Sequence, residues 1–304
     1  MVKFIMLTGL PGSGKSTYAE ELVRKEGFVV HSSDKIREEL GDVNDQSKNE
    51  QVFTILHKRI KEDLRSGKNV IYDATNINRK RRMAFLRELK HILCEKICVL
   101  IATPFELCME QNSKRDRVVP EEVLHRMYRN FQMPCTQEGF DSIDVYYPNK
   151  KWKEYYGDII AHLWSLRDFE QCNHHHTLSL GKHMAKAADI VSNEDKNCSY
   201  DVLMAAYSHD IGKVDTKTFT NMKGEPTEEA HFYSHQNVGA YKSLFFCYPS
   251  FCNKKYIALL IELHMNPWLV WEQSEKAYAK ELELFGEKVI SDVSLIHIGD
   301  LAAH

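Results

Sequence analysis

Short apolar runs punctuate the first half of the chain. Residues 4–7, 28–31, 69–72, 97–101 and 143–146 are too short for helices and read as buried strands. The segments between them carry a helical rhythm. Residues 51–65 are the clearest case, with Val52, Ile55, Leu56 and Ile60 on one stripe. Residues 17–23, 35–40, 79–92, 105–111 and 121–131 read the same way, and the polar residues 41–50 read as a loop. Strand alternating with helix predicts an α/β domain on a parallel sheet. Past residue 150 the strands stop. Residues 158–166, 203–208 and 257–263 are helical, and Met184, Ala187 and Ala188 form the apolar face of another helix. The polar, aromatic residues 150–157 read as a linker. The expected organisation is an α/β domain over 1–150 and an all-α domain over 151–304.

Composition agrees with two domains of ordinary size: 304 residues, 43% apolar and 27% charged. No apolar run is long enough to cross a bilayer. The first residues lead straight into a strand, which argues against a signal peptide. Eight cysteines are scattered without any C-x-x-C pair, the pattern of free thiols in a reducing compartment, so a cytoplasmic location without a membrane is expected. Residues 1–150 hold 25 Lys and Arg against 22 Asp and Glu, and the remainder 15 against 21. That imbalance is too mild for coating nucleic acid and compatible with gripping a strand end.

The chemistry begins at residues 9–16, Gly-Leu-Pro-Gly-Ser-Gly-Lys-Ser, set between the first strand and the first helix. This is the phosphate-cradling P-loop pattern. Gly12, Ser13, Gly14 and Thr17 would present backbone amides at a helix N-terminus. Lys15 would reach the β and γ phosphates of ATP or another NTP, and Ser16 would sit on Mg²⁺. Ligands of α/β sheets bind beyond the carboxyl ends of strands. Asp34 follows the second strand in a Ser32-Ser33-Asp34 cluster expected to cap the next helix, and if Ser32 or Ser33 does the capping Asp34 can accept a proton from an attacking hydroxyl. Arg37, one turn later, is placed to hold an acceptor phosphate. Asp73 ends the third strand, as an acid holding Mg²⁺ through water, as an orienter of acceptor and Arg37, or as a simple turn residue. Residues 79–82, Arg-Lys-Arg-Arg, are candidates for lining an acceptor groove. Residues 112–117, Asn-Ser-Lys-Arg-Asp-Arg, read as a basic lid that stabilises charge in transfer.

Residues 1 to about 147 resemble the kinase module of bacteriophage-type 5′-OH polynucleotide kinases. The likeness rests on the P-loop, on Asp34-Lys35-Ile36-Arg37, on residues 73–78 with Arg81 and Arg82, and on residues 112–115 with Val119, Pro120, Met127 and Tyr128. It implies that Asp34 is the general base, that Arg37 contacts the acceptor's phosphate, that Asp73 supports the acceptor site and that Arg115 binds the donor's phosphates. A second lid arginine of that family falls at Gln111 here, so lid charge is reduced.

Histidines crowd the second half: His174, His175, His176, His183, His209, His231, His235, His264 and His297, with Asp210 beside His209 and Asp300 near the end. One buried histidine is ordinarily a hydrogen-bonded core residue, but a series of imidazoles and carboxylates on separate helices suits Mn, Fe, Co, Ni or Zn. His209 and Asp210 are adjacent and cannot point the same way, yet can share one ion or flank two. With Ile211-Gly212-Lys213 following, residues 170–304 resemble the HD phosphohydrolase superfamily. The resemblance implies a metal core of His183, His209, Asp210 and Asp300, with His235 and His264 completing a two-metal site. One or two divalent ions would activate water and clamp phosphoryl oxygens. Lys213 could contact the phosphate, and His174, His175, His176 and His231 would be supporting or substrate contacts. The helix carrying Asp300 is expected to be short.

The expected fold is thus an α/β P-loop kinase domain with a parallel sheet, followed by an all-α HD-type domain. The implied function is healing of RNA ends, with DNA as an open alternative: NTP-dependent phosphorylation of 5′-OH ends plus metal-dependent removal of 2′,3′-cyclic or 2′-phosphates, working with a separate ligase. The alternatives are a small-molecule or nucleoside kinase fused to an HD nucleotidase, a kinase with a non-catalytic HD nucleotide sensor, and a binding protein that uses nucleotide only as a switch.

Overall fold

The computed structural model describes residues 1–41, 47–174 and 177–303. Residues 42–46 of the expected loop, and His175 and His176, lie outside them. The chain divides into two compact units: Met1–Leu124 with Pro134–Lys150, and His125–Met133 with Lys151–His304.

The first unit runs β1 (Lys3–Thr8), α1 (Lys15–Glu26), β2 (Val29–Ser32), α2 (Ser33–Glu39), α3 (Asn49–Arg65), β3 (Val70–Asp73), α4 (Arg79–Glu88), β4 (Glu95–Ile101) and α5 (Phe105–Ser113). It continues into α6 (Glu121–Arg129) and, after it, β5 (Ser142–Tyr146). Among the described residues five strands pair in parallel in the order β2-β3-β1-β4-β5. Successive residues of β1 fall on opposite faces, as the period-two pleat requires. Phe4 and Met6 join Val52, Leu56, Ile60 and Phe85, while Ile5 and Leu7 join Ala19, Phe28, Val99 and Ile101. Both faces are covered, which is why these strands read as continuous apolar runs. Ser32 lies opposite Asp73 in the β2–β3 register. That pairing brings the ends of two strands, with their acids, to one edge of the sheet.

Of the stretch expected in the first domain, His125–Met133 packs within the second unit. Phe131 and Tyr128 stack edge-on against Tyr241, and the Met133 amide donates to Glu262 at 2.6 Å. The rest of that unit is α7 (Ile159–Ser165), α8 (Leu180–Glu194), α9 (Tyr200–Ser208), α10 (Lys213–Thr216), β6 (Thr218–Thr220), β7 (Pro226–His231), α11 (His235–Ser243), α12 (Lys254–Leu263) and α13 (Glu275–Ala302). It is a helical unit with one added antiparallel pair, β6 with β7. Asp158, Ser199, Asn253 and Ser274 cap their helices through side-chain oxygens. Helix α8 lies against α9 and α13, and α12 against α9 and α11. The helix carrying Asp300 is not short: α13 extends back to Glu275, with a break at Gly286. Beside Asp300, Gly299 lets α13 approach α8 closely, since a Cβ there would stand 2.7 Å from the Ala187 carbonyl. No described helix is long and apolar enough to cross a membrane, and no disulfide links the eight cysteines.

Candidate active sites

In the first unit the P-loop closes over the start of α1. Gly12 has φ 77°, and a Cβ there would meet the Cys108 carbonyl at 2.3 Å, so only glycine fits. The Gly9 amide donates to the Thr75 carbonyl, two residues past β3 (3.0 Å), tying the loop to the segment that leaves its neighbouring strand. Lys15 curls back onto its own loop, donating to the Gly9 and Leu10 carbonyls at 3.1 and 2.7 Å. Burial pulls its ammonium below its ordinary pKa, with Arg115 adding to the effect and Asp73 opposing it. The Ser16 hydroxyl donates to Asp73 Oδ2 at 3.1 Å. Gly12, Ser13, Gly14 and Thr17 lie in the loop and the first turn of α1, as expected from the motif.

Ser32, not Asp34, caps α2: its hydroxyl accepts from the Asp34 amide at 3.3 Å. The Asp34 carboxylate is left to face a cavity of about 770 Å³, lined also by Ser16, Asp73, Arg115 and the apolar Val23, Phe28 and Val30. Arg37 Nη1 lies 3.3 Å from Asp34 Oδ1. Its Nη2 donates to Asn49 at 2.5 Å. The lid is anchored at both ends by one side chain, since Asn112 donates to the Val119 carbonyl and accepts from the Val119 amide.

Residues 79–82 split. Lys80 and Arg81 are exposed. Arg79 and Arg82 are buried on Glu138, whose side chain is fully buried. Arg82 also donates to the Asn76 carbonyl at 2.9 Å, bracing the loop after β3. The expected acceptor groove therefore does not include Arg79 and Arg82, because a buried carboxylate claims both.

In the second unit three separate helices deliver side chains to one point. His183 comes from α8 and Asp300 from α13, while His209 and Asp210 follow α9. His183 Nε2 lies 3.0 Å from Asp300 Oδ1 and 3.4 Å from Asp210 Oδ2. His209 Nε2 is 3.4 Å from the same two oxygens. A second group shares Asp210 through its other oxygen: Oδ1 stands 3.1 Å from His235 Nε2 and 3.7 Å from His264 Nε2. Within each group the candidate ligand atoms lie within 4.8 Å of one another. His209, His235 and His264 each direct Nδ1 at a backbone carbonyl three residues earlier, at 2.8, 2.8 and 2.7 Å. This fixes the ring and turns Nε2 to the centre, the arrangement that metal-binding imidazoles use. Burial opposes charge on His209, yet Asp210 and Asp300 lift it to about 10. The centre thus attracts positive charge. The donor set fits one or two divalent transition ions: His183, His209, Asp210 and Asp300 for one, Asp210, His235 and His264 for the other.

Lys213 reaches this centre through Asp210. Its Nζ is 2.6 Å from Asp210 Oδ2 and donates to Gln171 at 2.9 Å, and the residue is buried, so it stands behind Asp210. His174 is exposed and pairs with Glu229 at 2.7 Å, and His231 stacks on Tyr233. His297 faces Glu272 at 3.8 Å.

Two family models match the chain, one described as AAA domain over residues 4–134 and one as HD domain over residues 173–288. The chain joins a P-loop kinase domain to an HD domain. Asp300 lies beyond the stretch matched to the HD model and is brought in by α13. The P-loop domain is similar to L-seryl-tRNA(Sec) kinase of Methanococcus maripaludis, 30% identical over 46% of this chain and 57% of that protein. It is also similar to the bifunctional polynucleotide phosphatase/kinase of Schizosaccharomyces pombe, 26% identical over 50% of this chain and 35% of that one. The chain spans about half the length of such curated relatives, or less. A structure of the Pnkp1/Rnl/Hen1 RNA repair complex covers 46% of both chains at 24% identity, with a TM-score of 0.38.

Sequence reasoning missed several partners of the P-loop and HD sites. Asn49 and Arg117 hold Arg37 and Asp34, and Gln171 holds Lys213. Arg117 had a signal in the basic lid. Asn49 and Gln171 are single polar residues in unremarked stretches, and nothing local marks them.

Proposed function

We propose that the chain is a bifunctional RNA end-healing enzyme of the cytoplasm, with DNA ends as a further substrate. The P-loop domain phosphorylates 5′-OH ends, and the HD domain removes 2′,3′-cyclic or 2′-phosphates. The observation that carries the reading is Asp34, which shares its cavity with Ser16, Asp73 and Arg115. In the transfer the 5′-hydroxyl proton passes to Asp34. The hydroxyl oxygen bonds to the γ-phosphorus, the bond from γ-phosphorus to the β-bridging oxygen breaks, and NDP leaves. Lys15 leaves its loop carbonyls for the phosphates, Ser16 and Asp73 would hold Mg²⁺, and Arg37 grips the acceptor's phosphate while Arg115 grips the donor's. In the HD domain divalent ions, when bound, polarise phosphoryl oxygens and ease deprotonation of water. His183, His209, Asp210, His235, His264 and Asp300 hold them, and Lys213 keeps Asp210 oriented. The bifunctional polynucleotide relative supports the polynucleotide acceptor, and a ligase is the natural consumer of the healed ends.

The test is an RNA carrying both a 5′-OH and a 2′,3′-cyclic phosphate, with each end followed separately. Asp34→Ala is expected to lower 5′-phosphorylation by at least about 100-fold and leave the other end's repair intact. Unchanged kinase activity in that variant would sink the base assignment. A second reading is favoured by the 30%-identical seryl-tRNA kinase: a hydroxyl outside the ribose 5′ position. Competition between a 5′-OH oligonucleotide and small hydroxyl acceptors separates the two.

A further inference from the structure

The three cations of the lid do different things. Lys114 pairs with Glu110 on the exposed side of α5. Arg115 acts on Lys15. Arg117 turns to the candidate base, with Nη1 2.6 Å from Asp34 Oδ1. Arg37 Nη1 approaches that same oxygen at 3.3 Å. A carboxylate oxygen has two lone pairs, so two guanidinium groups leave Oδ1 with none for an incoming hydroxyl. One of them must withdraw before Oδ1 takes a proton. Arg37 is buried and tethered to Asn49. Arg117 is the more exposed of the two, on a loop between the Asn112 anchors.

We infer that Arg117 is a gate on the base: it holds Asp34 Oδ1 while the acceptor is absent and exchanges that carboxylate for the acceptor's phosphate when it arrives. The inference rests on the reading of Asp34 as general base. The exchange replaces one anionic partner by another, so the guanidinium is never left unpaired in the cleft. While the gate is shut, water in the acceptor position cannot pass its proton to Oδ1 and has Oδ2 alone to take it, so hydrolysis of NTP to NDP and phosphate is slowed. When it opens, Arg117 joins Arg37 on the acceptor's phosphate. Arg117 is in these terms a positioning and specificity residue, distinct from the base itself.

Steady-state kinetics of Arg117→Ala and Arg117→Lys test this. The acceptors are a 5′-OH nucleotide bearing a 3′-phosphate and the matching nucleoside, alongside NTP hydrolysis with no acceptor. Arg117→Ala is expected to raise the KM of the phosphorylated acceptor and the acceptor-free hydrolysis rate each about tenfold, the scale of one charge-assisted hydrogen bond. The nucleoside KM moves far less, and Arg117→Lys falls between. A fall in kcat with unchanged KM, or hydrolysis that does not rise, overturns the gate, and melting curves show whether the variant is folded. If the wild-type protein transfers to no 5′-OH acceptor while hydrolysis still rises in Arg117→Ala, the proposed function falls and the gate stands. If wild-type transfer is sound and neither KM nor hydrolysis responds, the gate alone falls.

Discussion

Ser16 and Asp73, 57 residues apart in sequence, meet at 3.1 Å through a hydroxyl–carboxylate hydrogen bond. Burial raises the Asp73 carboxyl above its ordinary value, and Lys15 and Ser16 only partly offset this. An acid with a raised folded pKa binds more protons in the folded state, so stability falls as pH rises through the window above the usual Asp value. Asp73→Asn is therefore expected to melt higher than the wild type at neutral pH, with the difference shrinking in acid. If Asp73 holds Mg²⁺ as proposed, kinase activity should drop by about 100-fold or more. Melting temperatures across pH check the first half, and a variant destabilised equally at every pH would refute it.

The HD centre offers imidazoles with carboxylates and the P-loop side only oxygens, so the two sites should differ in the metal that restores them. Chelation is expected to stop both activities. Restoring Mg²⁺ alone should revive phosphorylation, while Mn²⁺, Co²⁺ or Ni²⁺ is needed for the phosphoesterase. His264→Ala should lower the bound transition metal per chain by about one equivalent, because it belongs only to the second group. Elemental analysis of the purified protein reads this directly. A stoichiometry equal to the wild type's would remove His264 from the ligand set.

Arg82 and Glu138 are both fully buried and meet at 2.6 Å. Truncating Arg82 takes the closer of two guanidinium partners from the buried carboxylate and leaves Arg79 at 3.4 Å, so Arg82→Ala is expected to cost up to about 3–5 kcal/mol. Arg79→Met and Arg82→Met combined with Glu138→Leu should cost much less, because no charge of this buried cluster remains to be satisfied. Denaturant titrations of the two variants make the comparison.

His162 carries a pH signature of its own. Burial, with Lys242 nearby, lowers it to about 4, and Asp215 opposes this weakly. Its folded pKa lies below the unfolded value near 6.5, so the unfolded chain binds the proton more readily. The stability it supports is present above about 6.5 and is lost as pH falls toward 4. Replacing His162 by Phe, next to the Phe246 ring it already touches, should flatten acid denaturation in that window. An unchanged acid limb would contradict this role.

The sheet was legible because β1, β3 and β4 are covered on both faces and so appear as unbroken apolar runs. Position along those strands then placed Asp34 and Asp73 at one edge, which the Ser32–Asp73 register realises. The hairpin of β6 and β7 escaped because Pro226–His231 is mostly polar and exposed, and its pairing comes from the turn between the strands. Residues 79–82 misled for a different reason. Four adjacent cations look alike in sequence, yet only a distant carboxylate, Glu138, decides which of them are buried. The candidate metal ligands stood out by residue type, and the structure gathers them, with Asp300 brought in by the long approach of α13 against α8 that Gly299 permits.

Asp210 gives one oxygen to each ligand group, Oδ2 toward His183 and His209, Oδ1 toward His235 and His264. Two ions held there would share a ligand, so neither can bind without altering the other's affinity, and by the same factor in both directions. A metal titration should then depart from two independent isotherms, with a coupling free energy that Asp210→Asn diminishes. The carboxylate that looks like one ligand among several would then be the element that makes the centre a single cooperative unit.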